Sequence, residues 1–405
     1  MWNDVMKYEE ARDLLLSKVA PVGRERVPLT DCAGKVLAEA LTAAENVPPF
    51  DRSPYDGYAL SSKDTEGVDE THPVILRILE EVPAGVKGKC AVTSGTAIKV
   101  LTGAMLPEGA DCVVPFEDTR FTAETVEISG HLASGSNVIR AGEDVRAGDL
   151  LAAAGTVIDG GLAATLAGQN VISPEVYRVP RVGIISTGSE LVEPGDIPEP
   201  GRIYNTSRYA MSAVLRRDGA EPVFIGTAPD DIRDISELIR EGLSKCDALV
   251  LTGGVSVGDY DLTPDAMELS GVEILFRGVA MKPGMACCYG MAGQKPVMAL
   301  SGNPASSMTN YCAIARPAVL KLRGLSEYLP REIELALAEG FSKKSKTTRI
   351  LRGRLGIEGG RAVLHLPSGQ GNTVISSMIG CDAMAVVPAG SGALPAGTVL
   401  KGFLI

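Results

Sequence analysis

Histidine is almost missing from this 405-residue chain, which has only His72, His131 and His365. Its eight cysteines are scattered and form no Cys-x-x-Cys pair. Together these residues offer neither zinc-site spacing nor a disulfide framework. The adjacent Cys287 and Cys288 lie on an apolar segment, where buried filling is a commoner role than redox chemistry. A Ser-His-Asp or Cys-His nucleophile is disfavoured, because His72 and His131 fall in turn-like stretches and His365 alternates with apolar neighbours. Aromatic residues make up 4%, so Ala, Val, Leu and Ile must build the core. Positive charge is in deficit: 39 Lys and Arg against 50 Asp and Glu leave a net of −11. That argues against a nucleic-acid binder with a broad basic face. The local run Lys343, Lys344, Lys346, Arg349, Arg352 and Arg354 reads as a solvated β-surface, in part an anion contact. No uninterrupted apolar run reaches the roughly 18 residues of a membrane span. The opening MWNDVMKYEEARDLLLSKV has no basic stretch followed by an apolar one. No secretory leader is expected, no membrane partner, and a cytoplasmic location.

Glycine and proline are plentiful, 46 and 25, and imply many turns and loop-built sites. The length implies two to four domains. From Arg181 to Gly324 short apolar runs alternate with helical patterns. The runs are VGIIS (182–186), PVFIG (222–226), ALVLT (248–252) and VMALS (297–301). Between them RYAMSAVLRRDG and DIRDISELIREGL carry apolar residues at three- and four-residue spacing. This pattern predicts a parallel-rich sheet covered by helices on both faces, with ligands at the carboxyl ends of its strands. Stretches such as HPVILRILEEV and GTAIKVLTG predict a β-rich module before it. RAVLHL, DAMAVVP and TVLKGFLI predict a small C-terminal β-barrel. The fold class expected is therefore multidomain α/β plus β, with a three-layer α/β centre and flanking β modules.

Each predicted central strand ends in a loaded loop. TGSEL brings Glu190, TAPDD brings Asp230, TGGVSVGDYD brings Gly253, Gly254, Ser256, Gly258, Asp259 and Asp261, and SGNPASS brings Ser301, Gly302, Asn303 and Pro304. Glycines let consecutive backbone amides turn toward an oxyanion. Asp259 and Asp261 are two apart, so on an extended segment both point one way. Carboxylates beside an anion site repel the ligand unless a hard cation lies between, and oxygen ligands with phosphate suit Mg2+. Glu190, Asp230 and Asp261 are the candidate metal ligands. Asp230 reads equally well as a helix cap, and Glu190 as the start of a helix. Lys282, in VAMKPGM, would offer a point charge to an oxyanion. Pro317 should kink the helix that starts near Asn303 and Pro304. In PPFDRSPYDGYAL and VLTGAMLPEGADCVVPFEDT, Asp56 and Thr102 read equally as functional or as turn residues.

Taken in chain order, SPYDGYAL, LTGAMLPEGADCVV, GEDVRAGDLL, VGIISTGSELVEPGD, GRIYNTSRYAM, LTGGVSVGDYD, VAMKPGM and LSGNPASS resemble the molybdopterin molybdenumtransferase family, MoeA in bacteria and the E domain of gephyrin in animals. The resemblance implies a four-part elongated subunit. Residues 1–47 and 141–178 would form a discontinuous helix and strand domain, and 48–140 an inserted β-rich domain. Residues 179–326 would form an α/β domain like that of molybdopterin adenylyltransferases, and 327–405 the barrel. It also implies a homodimer, a partnership with molybdopterin adenylyltransferase, and a Mg2+-dependent reaction of adenylylated molybdopterin with molybdate that releases AMP. Asp56, Thr102, Asp144, Glu190, Asp230, Asp261 and Lys282 match the family's functional positions, with Arg354 and Ser376 or Ser377 in the last domain. One departure is Met285, where the family often has a second lysine. A tungstate-inserting relative or a non-catalytic molybdopterin-binding scaffold is the alternative.

Overall fold

The computed structural model describes residues 5–256 and 261–405 of the chain. They divide into two compact units. One holds residues up to Glu39, Ala154–Asp159 and Ser173–Ile405; the other holds Ala40–Ala153 and Gly160–Ile172.

The larger unit is built on a six-stranded sheet. Its strands are β1 (Arg181–Thr187), β2 (Glu221–Ala228), β3 (Ala248–Thr252), β4 (Glu273–Arg277), β5 (Cys287–Ala292) and β6 (Lys295–Leu300), in the spatial order β2-β1-β3-β6-β5-β4. The first four in that order are parallel. β5 and β4 run antiparallel at the edge, because Gly293, at φ +60°, turns β5 tightly into β6. Alternation splits each apolar strand between two cores. Val182, Ile184 and Val250 pack with Met211 and Leu215 of helix α1 (Thr206–Arg217) and with Leu15 of the N-terminal helix Tyr8–Lys18. Ile185, Leu249 and Leu251 pack with Ile235 and Ile239 of α2 (Ile232–Lys245) and Met267 of α3 (Thr263–Leu269). Both faces are buried, which is why the strands read as continuous apolar runs.

One local expectation changes. No helix starts at Glu190. Leu191–Val192 pairs instead with Ile203–Tyr204, and α1 begins only after Asn205, whose side chain accepts from the Arg208 amide at 3.1 Å. Gly188, Pro194 and Gly195 disfavour a helix in that stretch. The helical run that carries Pro317 is irregular just before it. Between α4 (Pro304–Asn310) and α5 (Arg316–Leu322) the chain widens into a π-helical turn, Tyr311–Ala315. That turn absorbs the amide and the space that proline denies to the preceding residues.

The same unit carries the C-terminal barrel. Strands β7 (Glu332–Leu337), β8 (Thr348–Glu358), β9 (Arg361–His365), β10 (Ala383–Val387) and β11 (Val399–Leu404) pair as β8-β9-β7-β11-β10, and β10 returns to β8 to close the ring. Leu335, Leu351, Leu364 and Val387 fill it. The smaller unit holds a six-stranded sheet running from Cys112–Pro115 through Gly57–Leu60, Thr96–Val100, Val74–Val82 and Thr125–Ile128 to Thr119–Phe121.

Candidate active site

The carboxyl ends of β1, β2, β3 and β6 open on one cleft of about 830 Å3. Glu190, Asp230, Asp261, Gly253, Gly254, Ser256, Ser301, Gly302, Asn303 and Pro304 all line it. Gly258 and Asp259 lie outside the described residues. Four loops that the alternating pattern placed on one sheet edge therefore converge on one space.

The glycines are set by geometry. Gly253 has φ +108°, and a Cβ there would sit 2.4 Å from the Thr187 carbonyl oxygen. Gly254 has φ +63°, with the Thr263 hydroxyl 2.5 Å from where its Cβ would be. Backbone from β3 thus presses against the end of β1, a closeness that only glycine permits. Thr263 starts α3 and ties the loop by donating its hydroxyl to the Gly253 carbonyl at 3.0 Å.

The acids are positioned individually. Asp231, not Asp230, caps α2, accepting from the Arg233 and Asp234 amides at 2.8 and 3.2 Å. The Asp230 carboxylate instead accepts from the Ser189 amide at 3.1 Å, joining the loops after β1 and β2. The Glu190 carboxylate folds over Gly188, where a Cβ would lie 2.5 Å from its Oε2. Asn303 begins α4, but its side chain makes no capping bond and is left to the cleft. Among the described residues no three His, Cys, Asp or Glu side chains are gathered tightly enough to hold a metal ion.

The cleft also contains residues that pattern reading passed over. Arg202 is the single cation among its described lining residues; it donates to the Ser189 carbonyl at 2.9 Å. Tyr204 and Ile203 add apolar surface, and Thr373 and Ile375 reach in from the barrel. Buried Asn205 donates to Ser186, Glu193 and Thr227 at 3.1–3.3 Å, fixing the wall behind them. The sequence signals for these residues were the stretch GRIYN and, in the barrel, GQGNTVISSM.

Lys282 does not line the cleft. It is exposed, in a two-residue strand that pairs with β8 opposite Arg349. The following loop is held from α4: the Asn310 amide donates to the Gly284 carbonyl at 2.7 Å, and the Tyr289 hydroxyl donates to Asn310. Gly284, at φ +103°, has Met281 Cε 2.7 Å from where a Cβ would be. Cys287 and Cys288 are fully buried, and burial pushes each thiol up to about 12, as expected of packing residues.

In the barrel Arg354 is exposed, and Ser376 with it. Ser377 is buried and accepts from Nε of Arg352, not Arg354, at 2.8 Å. Arg352 is wholly buried; its Nη2 donates to the Gly371 carbonyl at 2.8 Å, and its Nη1 has no partner among the described residues. Burial pulls its pKa down. A buried guanidinium with a spare donor and no carboxylate marks an anion contact more strongly than Arg354 does.

Asp56, Thr102 and Asp144 belong to the smaller unit. Asp56 Oδ1 accepts from both the Thr102 amide, at 2.7 Å, and its hydroxyl, at 2.8 Å. The amide first and the hydroxyl second hold this exposed carboxyl below the usual aspartate value. Asp144 borders a cavity of about 270 Å3 with Val47, Pro48 and Arg52.

Known proteins resemble the chain along nearly its whole length. Residues 6–169 match the MoeA N-terminal region (domain I and II), residues 183–321 a probable molybdopterin binding domain, and residues 334–402 the MoeA C-terminal region (domain IV). A molybdopterin molybdenumtransferase of Staphylococcus epidermidis is 32% identical over 98% of this chain and 94% of its own length. One of Staphylococcus aureus is 32% identical over 96% and 93%. The crystal structure of a molybdopterin biosynthesis MoeA protein from Pyrococcus horikosii superposes with a TM-score of 0.87 at 31% identity, covering 99% of both chains. The chain belongs to the MoeA family, the molybdopterin molybdenumtransferases, and has a role in molybdenum cofactor biosynthesis.

Proposed function

We propose that the chain inserts molybdate into adenylylated molybdopterin, releasing AMP and the molybdenum cofactor. One observation carries this reading: four consecutive strand ends deliver three carboxylates together with glycine and hydroxyl groups to a single cleft. Amides and hydroxyls at Gly253, Gly254, Ser256, Ser301 and Gly302 suit the oxygens of a phosphoanhydride. Tyr204, Ile203 and Ile375 suit the flat rings on either side of it.

Three carboxylates beside such an anion would repel it, so a cation belongs between them. The donor set of Glu190, Asp230 and Asp261 is all oxygen, as Mg2+ prefers. The three line one cleft without being gathered into a ligand cluster among the described residues, so water and substrate phosphate would have to supply the rest of the shell. Bound there, Mg2+ would neutralise charge that develops as the anhydride breaks. The chain's own part is to hold the adenylyl phosphate against the rim amides, exclude water from the ring-binding walls, and orient the pterin. Lys282, and Arg352 with Ser377, are the cationic and hydroxyl groups suited to molybdate; Arg354 and Ser376 are the weaker pair. Asp56, Thr102 and Asp144 complete the set of functional residues.

The protein in this reading is a cytoplasmic homodimer that receives its substrate from a molybdopterin adenylyltransferase. Each subunit has four parts, at 1–47 with 141–178, 48–140, 179–326 and 327–405. Purified protein given adenylylated molybdopterin, molybdate and Mg2+ should release AMP. If the nucleotide stays attached under those conditions, the reading fails; release with tungstate but not molybdate would reassign the metal.

A further inference from the structure

The central sheet has a second cavity, of about 600 Å3, at the amino ends of β1 and β2, away from the cleft. Val36, Val179, Ala220 and Pro222 give it apolar walls. Its charged residues are unevenly matched: Lys35, Arg178, Arg216 and Arg323 border it, against Glu221 alone. Lys35 is paired with Glu25 at 3.2 Å, Arg178 is bidentate on Asp247 at 2.7 and 2.8 Å, and Glu221 lies 3.5 Å from Arg181. Arg216 and Arg323 remain, and neither has a carboxylate within ion-pair distance among the described residues.

Arg323 is the more telling of the two. Its guanidinium lies flat against Gly219, where a Cβ would be 2.5 Å from its Cζ. Any side chain at that position would displace it. Nη2 donates to the Gly34 carbonyl, while Nε and Nη1 have no protein partner among the described residues. The one fully buried nitrogen without a partner is on Arg352, so these two atoms stay open to solvent. A half-buried cation is costly unless an anion or several carbonyls compensate it. Arg178, which lines the same pocket, shows what a compensated arginine looks like. In a chain of net charge −11, an apolar pocket with two unmatched arginines is selective for a particular kind of ligand.

We propose that this pocket binds a small organic anion, a carboxylate or phosphate monoester carrying an apolar or aromatic body. Arg323 and Arg216 take the charged group and the apolar walls take the body. The inference stands independently of the reaction proposed for the cleft.

Calorimetry on the full chain at neutral pH tests it, with phenyl phosphate, benzoate, inorganic phosphate and benzyl alcohol as probes. At least one of the two aromatic anions should bind, and inorganic phosphate and benzyl alcohol should bind more weakly. Arg323→Met should weaken the aromatic anion roughly tenfold or more, the loss expected for a charge-assisted hydrogen bond. Arg216→Met, at an exposed position that folding tolerates, should weaken it in the same direction. Arg202→Met and Lys282→Ala should leave it unchanged. No binding by either aromatic anion would overturn the proposal. So would undiminished affinity in Arg216→Met, or loss of binding only in Arg202→Met or Lys282→Ala, which puts the probe at the cleft or the lysine loop.

Discussion

Carboxylates of the central domain fall into two groups that differ in what faces them. Asp218, 2% exposed, accepts from Arg217, Arg316 and the Tyr311 hydroxyl. Burial pushes the Asp247 carboxyl up, but Arg178 and the Arg181 amide more than offset this, and its pKa is lowered. Glu193 accepts from Arg208 at 2.7 Å and from Asn205 at 3.1 Å. Three residues earlier, Glu190 has no cation within ion-pair distance among the described residues, and the Asp230 side chain holds only a backbone amide. Glu190 and Glu193 share one motif, yet one is a tie and the other faces the cleft. What separates a structural acid from a functional one here is whether the protein itself supplies the opposite charge.

Exchanging the two kinds of acid for amides should separate their effects. Asp218→Asn leaves two arginines short of a buried partner and should cost about 3–5 kcal/mol of stability in urea unfolding. A loss below about 1 kcal/mol would mean that the network is ornamental. Asp230→Asn should stay within about 0.5 kcal/mol of the parent in the same assay. Its AMP release should fall about 100-fold, because the lost charge is needed only with substrate and cation present. The reverse pattern, an unstable Asp230→Asn or an inactive but stable Asp218→Asn, would break the distinction.

Much of the fold was legible because both faces of the sheet are buried. ALVLT is the strand Ala248–Thr252, and the helix Ile232–Lys245 lies where its apolar spacing puts it. Loops were legible only as compositions. Asp230 and Asp231 are equivalent caps on paper, and only the extended φ and ψ of Asp231, −131° and 132°, decide between them. Arg352 and Arg354 are also indistinguishable by strand alternation, being two apart. β8 pairs with β10 as far as Gly353 and with β9 from Arg354 onward, so one arginine lies under the 370–378 segment and the other outside it. No periodicity records where a barrel strand changes partner.

That change of partner gives the comparison a cationic version. Arg352→Met leaves no buried acid behind but takes the donor from the Ser377 hydroxyl and the Gly371 carbonyl, so it should cost about 1–3 kcal/mol, less than Asp218→Asn. The molybdate KM of AMP release should rise roughly tenfold, the worth of one charge-assisted contact. Arg354→Met should alter neither. Equal effects from both substitutions would return the barrel arginines to the status of solvated surface.

Asp56 is the intermediate case, an exposed acid held by uncharged donors, and the effect to look for is the smallest. Its folded pKa is depressed, so the contact with Thr102 contributes stability above the unfolded pKa and loses it as pH falls through the folded one. The window lies below the ordinary aspartate range, under about pH 4, and nothing should change near neutrality. Solvent screens the group, so global unfolding is a poor probe, and the Thr102 amide resonance followed against pH is a direct one. Thr102→Val deletes the hydroxyl and keeps the amide, which is the larger cause of the shift. The Asp56 titration in that variant should therefore move only part of the way back toward an unperturbed aspartate. A complete return would show that the hydroxyl is the main holder, and that the turn carrying Thr102 does not preorganise this carboxylate through its backbone.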